Sequence, residues 1–300
     1  MLSKDGRLNF LGVLRISGAD AVSFLQGQLS NDMRRLASSH CLLAAYSNVQ
    51  GRVISLLRLA PHSSGILAIL PREMIAAVRD QLKRFVMRSK VQVEDASDDI
   101  AVAGAFGPEA LTAVGLTLPA TADGYSESDF IGLARLQGEP ERYWVLCSPA
   151  RLAGMGLDTL EDAWRLADIT AGLPQVYAAT RELFVAQMLN LDLLDGISFT
   201  KGCYTGQEII ARTQHLGRIK RRMFLLRLPP GHYAVGDALT LQDGRTARLV
   251  DVIASAASIA ALAVLPLEAS AAGEGSGAGS PTRVAATVSA PPYLVTAEAP

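Results

Sequence analysis

Two apolar runs, Leu42 to Tyr46 and Val53 to Leu59, flank the short segment Ser47-Asn48-Val49-Gln50-Gly51. That spacing restricts the fold more than any other feature of the chain. Strands joined by so few residues run antiparallel, because a parallel pair needs a crossover of a dozen residues or more. Further strand-like runs are Phe10 to Ile16, Gly65 to Leu70, Val91 to Glu94, Ile100 to Phe106 and Tyr143 to Cys147. Helical spacing appears between them. Ala21, Val22, Phe24, Leu25 and Leu29 follow the turn and cap chemistry of Ser17-Gly18-Ala19-Asp20. After Pro71, the residues Met74, Ile75, Val78, Leu82, Phe85 and Val86 form an apolar stripe, opposite Arg72, Arg79, Lys83, Arg84 and Arg88. Such a basic face is by default solvated, and it is also a place for an anion or RNA. Helical stretches surround Pro108 to Val114 and Asp158 to Ile169. Helices set among hairpins predict α+β lobes rather than one doubly wound sheet.

The pattern changes after Arg222. From Met223 to Leu265 short apolar runs alternate with Pro229-Pro230-Gly231 and Asp243-Gly244, and helix signals vanish. The expected organisation is therefore two interleaved α+β lobes over residues 1–222 and a small antiparallel β-barrel domain over residues 223–300. Residues 268–281, rich in Gly, Ala and Ser, are expected to form a loop, and Arg283 to Val288 a last strand. With 49% hydrophobic and 19% charged residues the 300-residue chain is core-forming, not disordered. A net charge of −1 excludes a wholesale nucleic-acid coat, so any RNA contact is local. No apolar stretch reaches bilayer length; the longest, Val252 to Leu267, is broken by Ser255, Ser258 and Pro266. Three scattered cysteines, Cys41, Cys147 and Cys203, argue for a reducing compartment, and the expectation is a cytoplasmic protein without a signal or transit peptide.

The chemistry concentrates in Lys201-Gly202-Cys203-Tyr204-Thr205-Gly206-Gln207-Glu208. Thr205 and Glu208 have the capping-box spacing, Ile209, Ile210 and Ala211 begin a helix, and Gly217 is placed to end it. Cys203 stands just before that helix, where the partial positive charge favours a thiolate, and Lys201 adds a cation. Gly202 and Gly206 leave room for a ligand or reagent beside Cys203 and Tyr204. Arg212 lies one turn beyond Glu208, on the same face. Cys203 is thus the candidate reactive thiol, with Lys201 as its helper. Cys41 and Cys147 fall in apolar runs and are expected to be buried and slow. The four histidines have no metal-ligand spacing and no metal site is expected. Lys220, Arg221 and Arg222, with Arg218, form a second basic cluster, which is by default a solvated lobe junction and is the place where a direct tRNA-binding protein, the alternative reading, would make its contact.

That octapeptide resembles the signature of the YgfZ family. Upstream, Ala171-Gly172-Leu173-Pro174 is similar to the family's Ala-Gly-Ile-Pro turn, and Gly18-Ala19-Asp20 and Phe24-Leu25-Gln26-Gly27-Gln28-Leu29 match an N-terminal block. Pro291-Pro292-Tyr293 is similar to a terminal Leu-Pro-Tyr. The resemblance implies a three-lobed ring like that of the aminomethyltransferase (T-protein) of the glycine cleavage system, with tetrahydrofolate in a central channel. It implies an accessory protein for iron–sulfur enzymes and cluster assembly, acting on tRNA modification indirectly, in preference to a true aminomethyltransferase. By the same resemblance Tyr204, Gly206, Gln207, Glu208 and Arg212 are candidate cofactor-binding residues, and Cys203 stands at the channel mouth. Thr170 occupies a position where related proteins often carry a glutamate for the pterin, and the loop from Ser47 to Arg52 offers no carboxylate.

Overall fold

The computed structural model describes residues 5–36, 39–115, 117–215, 219–255, 258–267 and 283–297. Three antiparallel sheets follow one another along the chain. The first contains β1 (Leu11–Ser17), β2 (Leu42–Ser47), β3 (Val53–His62), β4 (Gly65–Pro71) and β5 (Gln92–Asp95), in the order β2-β3-β4-β1-β5. Helices α1 (Ala21–Gln28) and α2 (Ile75–Val86) cover one face, where Leu14, Ile16, Leu25, Leu57, Ala68, Val78 and Leu82 are fully buried. The β2–β3 hairpin forms where the spacing predicts it, with a register shift at Tyr46/Ser47. Asp20 precedes α1, but its carboxylate accepts from Lys90 N–H at 2.7 Å instead of capping the helix.

The second sheet contains β6 (Ala101–Phe106), β7 (Tyr125–Ser128), β8 (Ile131–Arg135) and β9 (Arg142–Cys147), ordered β6-β9-β8-β7. Helices α3 (Pro149–Ala153) and α4 (Glu161–Ala171) follow. α4 carries Trp164, buried under Phe106 at 5.4 Å between ring centroids and pressed on Gly104, where a Cβ would lie 2.4 Å from the indole. It ends at Gly172, which takes the left-handed conformation (φ 72°) that glycine adopts without a Cβ clash.

Irregular chain with short 3-10 turns then leads to α5 (Gln207–His215). The third sheet contains β10 (Arg221–Leu228), β11 (Ala238–Thr240), β12 (Thr246–Ser255), β13 (Ser258–Pro266) and β14 (Thr287–Ser289), ordered β11-β12-β13-β10-β14, and α6 (Pro292–Ala297) closes the described chain. Strands follow one another from Arg221, two residues before Met223, to Pro266. Gly217, Arg218 and residues 268–281 lie outside the described residues. No helix of the described residues is long and apolar enough to cross a membrane.

Candidate functional site

The signature segment is built as a cap on another helix. The last four carbonyls of an α-helix have no partner inside it; Gln26 and Gly27 in the last turn of α1 present such carbonyls, and Leu29, Ser30 and Asn31 just beyond it present more. Lys201 is 5% exposed, and its Nζ donates to the carbonyls of Gln26 (2.7 Å), Leu29 (2.7 Å) and Asn31 (2.8 Å). Thr205 N–H donates to Gly27 (3.4 Å), and Ser198 N–H to Ser30 (2.9 Å). The Tyr204 ring covers the ammonium, its centroid 4.9 Å from Nζ. On the other side Gly206 (φ 83°) meets the β2–β3 turn so closely that a Cβ there would stand 2.5 Å from the Asn48 carbonyl.

This geometry corrects two expectations. The helix begins at Gln207, and Thr205 N–H bonds Gly27 rather than the Glu208 carboxylate, so the capping box does not form. Lys201 does not stand beside the thiol as a free charge, because its three donors are directed at three carbonyls. Burial pushes it down to about 8, against the attraction of the Asp32 carboxylate for the charged form.

Cys203 lies between these anchors and is exposed, with open space beside Gly202. Glu208 and Arg212 are exposed, and among the described residues neither makes an ion pair. Cys41 and Cys147 are 1% exposed, as the apolar runs around them require, and burial raises their thiols to about 12 and about 11. Alkylation by iodoacetamide at neutral pH is therefore expected to modify Cys203 alone on the native protein, with the other two reacting only on unfolding. Peptide mapping by mass spectrometry checks this, and equal rates at Cys41 or Cys147 would contradict it.

The second basic cluster is not a free patch. Arg222 pairs with Asp192 (2.8 Å) and is partly buried, which leaves Lys220 and Arg221 exposed among the described residues.

A separate small pocket, with a cavity of about 10 Å³, room for roughly one water, lies between the first two sheets and the turn after α4. Arg58 of β3, Trp144 of β9, Asp168 of α4 and Gln175 line it, with Leu43 and Leu173 among the apolar walls. Arg58 pairs with Asp123 at 2.5 Å and lies over the Trp144 ring at 5.7 Å. Asp168 pairs with Arg142 at 2.9 Å; burial pushes its carboxyl up while the Arg142 charge opposes the shift. Trp144 Nε1 is buried and has no hydrogen-bond partner among the described residues. Tyr293 braces the rim, its hydroxyl donating to the Gly172 carbonyl (2.9 Å) and accepting from Asn190 Nδ2 (3.2 Å).

None of Lys201, Cys203, Tyr204, Gly206, Gln207, Glu208 or Arg212 lines this pocket. Thr170 is exposed and donates to the Leu166 carbonyl, whereas Asp168, two residues earlier, reaches the pocket. The sequence offered one signal for this site. Arg58 is a charge between Leu57 and Leu59 in the largely apolar run of β3.

No family model matches the chain. The tRNA-modifying protein YgfZ of Colwellia psychrerythraea is 34% identical over 227 residues, covering 73% of this chain and 70% of that protein. The tRNA-modifying protein YgfZ of Yersinia pseudotuberculosis serotype IB is 32% identical over 258 residues, covering 81% and 77%. Among solved structures, the glycine cleavage system aminomethyltransferase T from Bartonella henselae is similar, with a TM-score of 0.67 at 13% identity, covering 87% of this chain and 77% of that one. The fold is thus a mixed α/β arrangement of antiparallel sheets similar to that of the aminomethyltransferase.

Proposed function

The chain belongs to the family of the tRNA-modifying protein YgfZ, and from that premise we propose that it is a tetrahydrofolate-binding accessory protein supporting iron–sulfur cluster assembly or repair, and through it tRNA modification. The observation that carries the folate reading is the pocket between the two N-terminal sheets. Its residues carry the chemistry a reduced pterin would use, and because the cavity has room for only about one water, about 10 Å³, its walls must part to admit the ring. Trp144 offers an aromatic face and a buried N–H without a partner, Asp168 a carboxyl for donors on the pterin edge, and Arg58 a cation near the mouth. When bound, tetrahydrofolate supplies a carrier for one-carbon units. The chain's own residues hold the pocket in shape. Arg142 fixes Asp168, Asp123 fixes Arg58, and Tyr293 fixes the turn at Gly172.

In this reading the signature acts on a second face. Lys201, Tyr204 and Gly206 fix the loop, Gln207, Glu208 and Arg212 continue it into α5, and Cys203 presents an exposed thiol able to give one ligand to a shared iron–sulfur cluster. We also read the third sheet as a small barrel. The parallel bridge between Leu241 and Val284, which brings the approach to β14 against the end of β11, supports that closure.

Calorimetry with reduced folates tests the first part. Saturating tetrahydrofolate at a hundredfold excess over Kd is expected to stabilise the protein by about 2.7 kcal/mol, because it binds only the folded chain. Trp144→Leu is expected to remove that gain and the binding heat. No thermal shift at saturation would count against folate. The thiol part is tested in cells lacking the protein, where Cys203→Ala is expected to fold normally and fail to restore iron–sulfur-dependent tRNA thiolation. Full restoration would remove the thiol from the function. The buried Asp168 carboxyl also favours a second reading, a folate-dependent one-carbon transferase, for which the discriminating measurement is turnover of a one-carbon donor by purified protein.

A further inference from the structure

We propose that the end of α2, with the turn that follows it, is a docking surface for single-stranded RNA. α2 stops at Val86, and Ser89 N–H donates to the Val86 carbonyl at 2.8 Å, closing a four-residue turn. Met87 holds the first central position with φ 43° and ψ −104°. That is close to a type II′ turn, where glycine is the residue without steric cost. The strained methionine gains nothing from packing, since it is 87% exposed, and Phe85 beside it is 47% exposed. Strain that no local packing explains points to a role for the side chain it displays.

Charge supplies the second, independent observation. Lys83, Arg84, Arg88 and Lys90 are exposed, and among the described residues none has an ion-pair partner. The neighbouring acids are already engaged. Asp80 pairs with Arg79 (2.8 Å), Glu94 with Arg15 (3.2 Å) and Asp98 with Arg72 (3.0 Å), while Asp20 accepts from Lys90 N–H and Asp95 from Ser97 N–H. Four cations without an ion-pair partner within eight residues, against the carboxylates of Asp20 and Asp95 held only by backbone N–H groups and Asp99 sharing Arg15 with Glu94, therefore leave a local positive excess in a chain of net charge −1. Beside them an open groove of about 410 Å³ runs between Lys83 and Val86 of α2 and residues 91–94 at the free edge of the first sheet, with Val86, Val91 and Val93 as its apolar part and Gln92 and Glu94 as its polar part.

Cations for phosphates, an exposed ring for a base face and an apolar groove floor are what an unpaired strand requires. A duplex hides its base faces and gives Phe85 and Met87 nothing to contact. This surface lies apart from the pterin pocket and from Cys203 in residue composition, so it goes beyond the proposed folate function and does not depend on it.

The test is fluorescence anisotropy on the full chain, with a tRNA transcript and an unpaired oligoribonucleotide as probes. Binding is expected to weaken with salt, with a log–log slope of about −3 for four phosphate contacts on single strands. Arg84→Glu/Arg88→Glu is expected to abolish binding, and Phe85→Ala to weaken it at least fivefold. Met87→Gly separates docking from folding, because it relieves the turn. It is expected to raise Tm while weakening binding. RNA binding that is absent at physiological salt, or unchanged in all three variants, overturns the proposal. Polyglutamate binding as tightly as RNA, with the same loss on Phe85→Ala, also overturns it and makes the face a dock for acidic protein.

Discussion

Arg142→Met is expected to destabilise the protein by about 3–5 kcal/mol, the cost of removing one partner from a buried ion pair. Arg142 is fully buried, pairs with Asp168 at 2.9 Å, donates to the Trp164 carbonyl at 3.3 Å and lies over the Trp164 ring at 5.2 Å. Methionine fills much of the volume and supplies none of the charge. Burial already pushes the Asp168 carboxyl up, and in the variant only the more distant Arg58 charge opposes it. A carboxyl whose pKa is higher folded than unfolded takes up protons on folding, so stability falls as pH rises from the unfolded towards the folded value. The deficit of the variant relative to the parent is therefore expected to be smaller at pH 5 than at pH 8. Denaturant unfolding at the two pH values measures it, and Arg142→Met/Asp168→Leu is expected to recover most of the loss. A deficit under about 1 kcal/mol would show that the pair contributes little beyond its shape.

Lys201→Met is the second large effect. It leaves the buried carbonyls of Leu29 and Asn31, and the part-buried carbonyl of Gln26, without their donor. Each unmet buried acceptor costs about 1–3 kcal/mol, so the total is expected to be at least about 2 kcal/mol. Lys201→Arg is not expected to rescue, because a planar guanidinium cannot converge on three carbonyls as an ammonium does. Cys203→Ala removes an exposed thiol with no role in the cap and is expected to stay within about 0.5 kcal/mol of the parent. Comparing the two variants separates anchoring from chemistry. If Lys201→Met unfolds like the parent, the cap contributes nothing and the lysine acts elsewhere.

The sequence makes the first hairpin, α1, α2 and the switch to strands near Met223 legible, because each has a clear period or turn. It does not reveal β7 and β8. These strands read Tyr125–Ser128 and Ile131–Arg135, too polar or too short for a period, and the two residues between them, Asp129 and Phe130, both have positive φ (51° and 60°). That is a two-residue hairpin turn in which a phenylalanine stands where Asn-Gly would have signalled it. The exposed thiol was legible from its glycine neighbours, and the burial of Cys41 and Cys147 from their apolar runs. The pocket was not. Asp168 reads locally as a polar residue on an amphipathic helix, and only the arrival of β9 converts it to a buried charge. Lys201 reads as a surface cation because its partners are backbone carbonyls, which leave no trace in the side-chain code.

The dependence of the end of α1 on Lys201 also imposes an order on biosynthesis. The carbonyls at residues 26–31 are separated from their donor by 170 to 175 positions. At roughly 5–20 residues per second a ribosome needs on the order of 10–30 s to cover that distance. For that interval the nascent first sheet carries a helix whose end is open to water, and two-thirds of the polypeptide must emerge before it can be closed. Cys203 leaves the ribosome two residues after the closing lysine, so the thiol becomes available only as the amino-terminal lobe is being sealed.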